Sequence, residues 1–281
     1  MCNENVYEVT PHIEYNVEDR VIANISGSKA KSDLILEGYD GHLYHACMYF
    51  RQKFIDELDL SQNIDHTELV LAAMKALDEG NKTVKTLRQD SKGVTFGASY
   101  GAYPKKIAAS IGCSLKEGEQ IFDAYHNKLY PEITAYKENY VIPTTKQNGE
   151  IHMLLGAMLR SDDVDGDIRS IFNATIQSFS VITLIALAQF QRLIDKHDMN
   201  DKVKITNTIY DAGYFEVDLD PEVIKWTNDT FTPLLKQQYL THEDIPNDAA
   251  CDLGFNLSDM VELSHNASIE EIEEVLNKLK D

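Results

Sequence analysis

Apolar residues recur at helical spacing along most of this chain and alternate at strand spacing in only a few places. Residues 1–32 show little periodicity and are rich in Asn, Ser and Lys. The run Leu34-Ile35-Leu36-Glu37-Gly38-Tyr39 predicts a short buried strand ending at Asp40-Gly41. Helices are expected over 42–58, over 65–78 with Leu69, Leu71, Ala72 and Ala76 on the apolar side, and over 83–100, where Gly101 and Pro104 close the run. Two more follow over 115–129 and from Pro131 toward Tyr140. Residues 143–166 read as loop, with a hairpin at the turn dipeptide Asn148-Gly149. A long apolar helix is expected over 168–196. Strands over 203–209 and 213–219 flank a tight turn centred on Asp211. Pro221 opens a helix to about Tyr239, and Ser268-Ile269-Glu270-Glu271 is a capping box that starts a short acidic terminal helix. The pattern describes an α+β chain, mostly helical, with a small antiparallel sheet carrying two aspartates.

Composition narrows the class. The 281 residues are 43% hydrophobic, enough for one large core or two small ones. No stretch is long and apolar enough to span a bilayer, so no membrane partner is expected. The start, Met1-Cys2-Asn3-Glu4, has neither a basic region nor an apolar run, which argues against a secretory signal. Cys2, Cys47, Cys113 and Cys251 are far apart and form no C-x-x-C pair, which argues against a zinc site or a disulfide scaffold and for a reducing, cytoplasmic home. The net charge of -20 argues against a protein that coats duplex nucleic acid. Locally the balance reverses: from Lys82 to Lys106 six cations face Asp90 alone, whereas from Asp259 to Asp281 seven acids face Lys278 and Lys280.

Three patterns carry candidate chemistry. Arg88, Lys92, Phe96 and Tyr100 recur every four residues and share one side of a helix, drifting by about 40° per step. A core face would not begin with Arg and Lys, and a solvated face would not end with Phe and Tyr. Cations for a triphosphate followed by aromatic faces for sugar and base suit a nucleotide. Asp40 and Asp211 each close an apolar strand; brought together they would repel unless a cation joined them, as in two-metal phosphoryl transfer. Taken singly, each also fits an ordinary turn aspartate. Arg169, Asn173 and Gln177 form a polar stripe on an otherwise apolar helix, which needs a polar partner or solvent; duplex contact is the sharper reading.

Together these elements resemble the signature motifs of family A DNA polymerases, in order. Arg88, Lys92, Phe96, Tyr100 and Gly101 match R-x-x-x-K-x-x-x-F-x-x-x-Y-G at every spacing. Leu36 to Gly41 resembles the strand bearing the first catalytic aspartate, in an Asp-Gly variant seen in some phage members. Ile209 to Val217 resembles the H-D-E hairpin, and Arg169, Asn173 and Gln177 match the primer-template helix R-x-x-x-N-A-x-x-Q. His66 falls at the D-I-H histidine, and Tyr130-Pro131 at the tyrosine-proline after the fingers. The resemblance covers roughly residues 34–257.

The resemblance implies a right-hand palm with inserted helical fingers and no thumb: palm over 33–61 and 142–257, fingers over 62–141, an N-terminal segment 1–32 available for partner contact, and an acidic tail over 258–281. It implies two Mg²⁺ ions on Asp40, Asp211 and the Gly41 carbonyl. Lys92, Arg88 and His66 would clamp the dNTP triphosphate, Phe96 would pack on the sugar, and Tyr100 would stack at the templating position. Arg169, Asn173 and Gln177 would contact the DNA primer-template, with Tyr210 reaching the primer phosphate. Several positions depart from the family pattern. His45 stands where Glu usually crowds a ribose 2′-hydroxyl, Cys47 where Arg is usual, Tyr210 where His is usual, and Ala212 where Glu is usual. The few residues before Asp40 imply a second polymerase chain supplying the thumb and any exonuclease, and a split enzyme of this kind suggests a phage origin and a bacterial host cytoplasm. A single-subunit RNA polymerase and a non-catalytic DNA-binding or assembly subunit are the alternatives.

Overall fold

The computed structural model describes residues 7–10, 22–23, 25–209, 212–237, 249, 251–257 and 259–280. In chain order it contains strand β1 (Tyr7–Thr10) and helices α1 (Lys29–Leu36), α2 (Gly41–Tyr49), α3 (Arg51–Glu57) and α4 (His66–Asp78). Helices α5 (Lys82–Ser99), α6 (Pro104–Ile111), α7 (Leu115–Asp123), α8 (Pro131–Tyr136) and α9 (Ile142–Asn148) come next. They are followed by strands β2 (Glu150–His152) and β3 (Met158–Arg160) and helices α10 (Val164–Ile176) and α11 (Ser180–Lys196). The remainder is β4 (Val203–Ile209), β5 (Ala212–Val217), α12 (Pro221–Lys236), β6 (Cys251–Gly254), β7 (Met260–Leu263) and α13 (Ile269–Lys280). Two compact units result: a helical one from residues 22–151 and 158–175, and a sheet-bearing one from residues 1–21, 152–157 and 176–281. Among the described residues no single helix is long and apolar enough to cross a membrane.

In the helical unit, α5 is the organising element. Its start is fixed by Asn81, whose side chain accepts from Val84 N at 3.0 Å. Its buried side carries Val84, Leu87, Ser91, Val94, Thr95 and Ala98, at the spacing of three and four that keeps a helix face together. Each large apolar side chain buried there contributes about 1.5–3 kcal/mol. The helix ends in a Schellman motif: Gly101, at φ +75°, donates to Ala98 O, and Ala102 N donates to Gly97 O at 2.7 Å. Behind α5, α6 and α7 cross so closely that a Cβ on Gly118 would stand 2.5 Å from Pro104 O and 2.9 Å from Ala108 Cβ. A reciprocal capping box between Ser114 and Glu117 opens α7.

Several expectations are corrected. The run 34–39 is not a strand: Leu34 to Leu36 finish α1, which the Lys29–Asp33 ion pair at i and i+4 supports and the positive φ of Gly38 terminates. A three-residue apolar run cannot by itself distinguish a strand from a helix end, and here the local helical signals win. Asn148-Gly149 does not turn a hairpin. It closes α9, with Gly149 at φ +69°, and the hairpin β2–β3 reverses over residues 154–156. The helix expected over 168–196 breaks at the 3₁₀ turn Gln177–Phe179. The helices begun at Leu115 and Pro131 widen into π-helix over Ala124–Leu129 and Lys137–Val141.

In the other unit, five antiparallel strands lie in the order β4-β5-β1-β6-β7. Tyr7–Thr10, from the segment with little periodicity, is the central strand. Phe215 of β5, Phe190 of α11 and Phe231 of α12 form the core, with ring centroids 4.7–5.2 Å apart. Gly213 permits that packing, since a Cβ there would meet Leu187 Cδ2 at 2.9 Å. Ile209 pairs with Ala212 across the hairpin, while Tyr210 and Asp211 lie outside the described residues. At α13, Glu271 N donates to Ser268 Oγ, but the Glu271 carboxylate binds Ser264 N and Oγ instead of completing the box.

Candidate nucleotide site

Asp40 is the N-cap of α2. Its Oδ1 accepts from Leu43 N at 2.8 Å, and its Oδ2 accepts from Arg88 Nε of α5 at 2.7 Å. Ser91 Oγ, one turn along α5, lies 2.7 Å from His42 O and 2.8 Å from Arg88 O. The first turn of α2 is therefore fastened to the cationic end of the α5 stripe. Lys92 follows one turn on, partly exposed. Phe96 and Tyr100 stack at 6.3 Å with an interplanar angle of 11°, so the four residues of the motif do form one face.

Sequence reading missed His42. Its ring meets Phe96 edge-on at 5.7 Å, and it is buried. Burial, then the interaction with His45 and the charges of Lys92 and Arg88, drives its pKa far below the usual histidine range, so it is neutral. The signal was available only as position i+2 from Asp40, which names no role without the crossing of α2 and α5.

His45, expected at the nucleotide sugar, lies in the interior. Its Nε2 pairs with the Tyr130 hydroxyl at 2.5 Å, its ring stacks on Tyr49 at 6.1 Å, and it has no exposed surface. The Lys31 ammonium sits 4.4 Å from the centre of the Tyr130 ring, and Tyr125, which packs on the same ring, bonds Ser99 of α5 through its hydroxyl. Cys47 is buried in the last turn of α2, and burial pushes its thiol up to about 12. His66 packs edge-on against Tyr44 at 4.5 Å, and its Nε2 is buried with no hydrogen-bond partner. Burial and then the Arg51 charge lower its pKa, against an opposing contribution from Asp65. Tyr44 thus connects His66 to α2, one residue from His45.

The polar stripe of α10 divides. Arg169 Nε donates to Tyr100 O at 3.3 Å, and Asn173, with its amide nitrogen turned inward, donates to Tyr100 O at 3.2 Å. Both therefore satisfy a carbonyl left open at the C-terminus of α5. Gln177 falls in the 3₁₀ turn and belongs to the sheet-bearing unit. Beside the end of α5, a cavity of about 310 Å³ is lined by Ser99, Gly101, Tyr103, Phe122, His126, Lys137, Arg169 and Phe172, among others. His126 Nδ1 is 3.1 Å from Thr134 Oγ1, while its Nε2 is buried without a hydrogen-bond partner. Burial, then Lys137, lowers its pKa to about 4.

Of the expected metal ligands, Asp40 and Gly41 are described. Gly41 is the first, buried residue of α2, so helical geometry aims its carbonyl at the His45 amide. Among the described residues no three His, Cys, Asp or Glu side chains gather as a metal site. Asp40 nevertheless fits a cation: its carboxylate is held in place by Leu43 N, and its second oxygen already attracts a positive group.

A helix face running from cations to aromatics, fastened to a capped aspartate, in a chain that also folds a small antiparallel sheet, is the architecture of a nucleic-acid polymerase core. The chain belongs to DNA polymerase family A, whose family model matches residues 15–258. It is similar to DNA polymerase theta of Drosophila melanogaster, 23% identical over 174 residues, which are 57% of this chain and 8% of that protein. DNA polymerase I of Lactococcus lactis subsp. lactis is 21% identical over 213 residues, 73% of this chain and 21% of that protein. A solved structure, the POL domain of Pol1 from M. smegmatis in complex with DNA primer-template and dNTP, shares the fold with a TM-score of 0.64. That match has 17% identity and covers 90% of this chain and 40% of the other. The chain thus spans less than a quarter of the length of either curated relative.

Proposed function

We propose that this chain forms the nucleotide-handling core of a DNA-directed DNA polymerase, transferring a deoxynucleotide from a dNTP to a primer 3′-hydroxyl. The observation that carries the reading is the face Arg88-Lys92-Phe96-Tyr100 fastened at its cationic end to Asp40. In the reaction the primer 3′-oxygen bonds to the α-phosphorus, the bond from that phosphorus to the bridging oxygen breaks, and pyrophosphate leaves. Arg88 and Lys92 neutralise the triphosphate, with His66 available beyond Tyr44. Phe96, backed by the neutral His42 edge, forms the apolar wall for the sugar, and Tyr100 offers a ring to the templating position. Arg169 and Asn173 keep the end of that helix in place, and they, Gln177 and Tyr210 would contact the DNA primer-template. Asp40, Asp211 and the Gly41 carbonyl would hold two Mg²⁺ ions, which supply Lewis-acid activation of the primer hydroxyl and neutralise leaving-group charge. The reading includes a thumb, and any exonuclease, contributed by a second chain.

The test is primer extension by the full chain on a primer-template, with and without a thumb-bearing partner, using dNTP and then rNTP. Extension with dNTP and release of pyrophosphate are expected. Asp211→Asn is expected to reduce the rate by about three orders of magnitude or more, as removal of a metal-holding group does, while DNA binding persists. Equal extension by Asp211→Asn and the unaltered chain would refute the assignment. Preferential use of rNTP would move the chain to the RNA-polymerase reading, and DNA binding without extension in the presence of the partner would make it a non-catalytic subunit.

A further inference from the structure

We propose that Arg88 and a divalent cation compete for Oδ2 of Asp40, so that the Arg88–Asp40 pair closes that oxygen to a metal until Arg88 is drawn away. This rests on the reading above, in which Asp40 is a metal ligand and Arg88 a triphosphate ligand. Those two roles require the side chains to have different partners, yet here they are partners of one another, at 2.7 Å. The contact joins residues 48 apart in the chain, so local sequence does not impose it. It is also not a loose surface pair. The side chains are 29% and 23% exposed, and beside them the Ser91 hydroxyl, within reach of both His42 O and Arg88 O, ties the first turn of α2 to α5.

Asp40 has little freedom to serve both cations. Its Oδ1 is committed to Leu43 N, which fixes the carboxylate plane at the start of α2. The guanidinium then lies against Oδ2, where a divalent ion on the same oxygen would meet it at close range. Arg88 can be drawn away by a group offering more negative charge in a geometry its fork matches, and a triphosphate does so. Nucleotide arrival and opening of the carboxylate become a single exchange of counter-ions. By linkage, metal on Asp40 must in turn raise the affinity of Arg88 for polyphosphate.

The experiment titrates Mn²⁺ alone into the full chain, without DNA or nucleotide, and follows free Mn²⁺ by electron paramagnetic resonance. Arg88→Gln is expected to bind Mn²⁺ about tenfold more tightly than the unaltered chain, within the range usual for coupled sites. Asp40→Asn added to Arg88→Gln should remove that gain. Equal affinity of Arg88→Gln and the unaltered chain, with binding still weakened by Asp40→Asn, would overturn the competition and leave Asp40 as a ligand. Binding indifferent to Asp40→Asn in both backgrounds would instead reject Asp40 as a ligand, and the proposal with it. A second measurement uses the unaltered chain, so that it survives a poorly folding variant. The Arg88 Nε–H resonance, assigned by through-bond correlation to the Arg88 backbone, should exchange with solvent slowly and then faster as Mg²⁺ is added. Exchange unaltered at saturating Mg²⁺ would overturn the proposal.

Discussion

Acid should weaken the helical unit measurably through His126. The folded pKa, about 4, lies below the ordinary value of 6.5 because the ring is largely buried and Lys137 is near. Between those values the unfolded chain takes up a proton that the folded chain refuses. The stabilising contribution is therefore intact above pH 6.5 and is lost as pH falls toward 4. From pH 7 to pH 5 a shift of that size removes at most about 2 kcal/mol, and discounting for the solvent the ring retains leaves about 1 kcal/mol. The overall charge of the chain changes over the same range, so the informative quantity is a difference. Urea unfolding followed by circular dichroism at pH 7 and pH 5 should show a smaller acid loss in His126→Gln than in the unaltered chain, by about 1 kcal/mol. Parallel losses in the two proteins would mean that the cavity wall does not shield His126 from protonation, and the reasoning from its buried Nε2 would fail.

Tyr130→Phe removes the hydroxyl from the interior pair with His45 and should lower unfolding stability by about 1–3 kcal/mol, read from the urea midpoint. Gly118→Ala places a methyl group against the backbone of Pro104 and should cost about 1–3 kcal/mol, whereas an unchanged midpoint would show that α6 and α7 separate freely. Gly101→Ala meets no crowding, with Lys137 Nζ and Arg169 Cγ at 3.9 and 4.0 Å. Its cost should be the left-handed backbone alone, about 1–2 kcal/mol, with a fall in nucleotide affinity as the end of α5 loosens.

Much of the site was legible as spacing. The recurrence of Arg88, Lys92, Phe96 and Tyr100 at intervals of four places them on one helix face whatever surrounds them, because 3.6 residues per turn is a property of the backbone. The stop at Gly101 and the start at Pro221 follow from φ preferences just as local. The sequence also supplied the family motifs and the strand pattern over 203–209 and 213–219, of which the structure forms Val203–Ile209 and Ala212–Val217. Other features depended on partners far along the chain. Leu34 to Leu36 could close a helix or begin a strand, and the short run left both open. Tyr7–Thr10 became the central strand only because β5 and β6 flank it. The helix after Arg169 ended at Ile176 although its apolar pattern continued. Burial of His45 against Tyr130, His42 against Phe96, and the joining of Asp40 to Arg88 are contacts between residues far apart in the chain, and one-dimensional periodicity fixes which face a residue occupies but not which element covers that face.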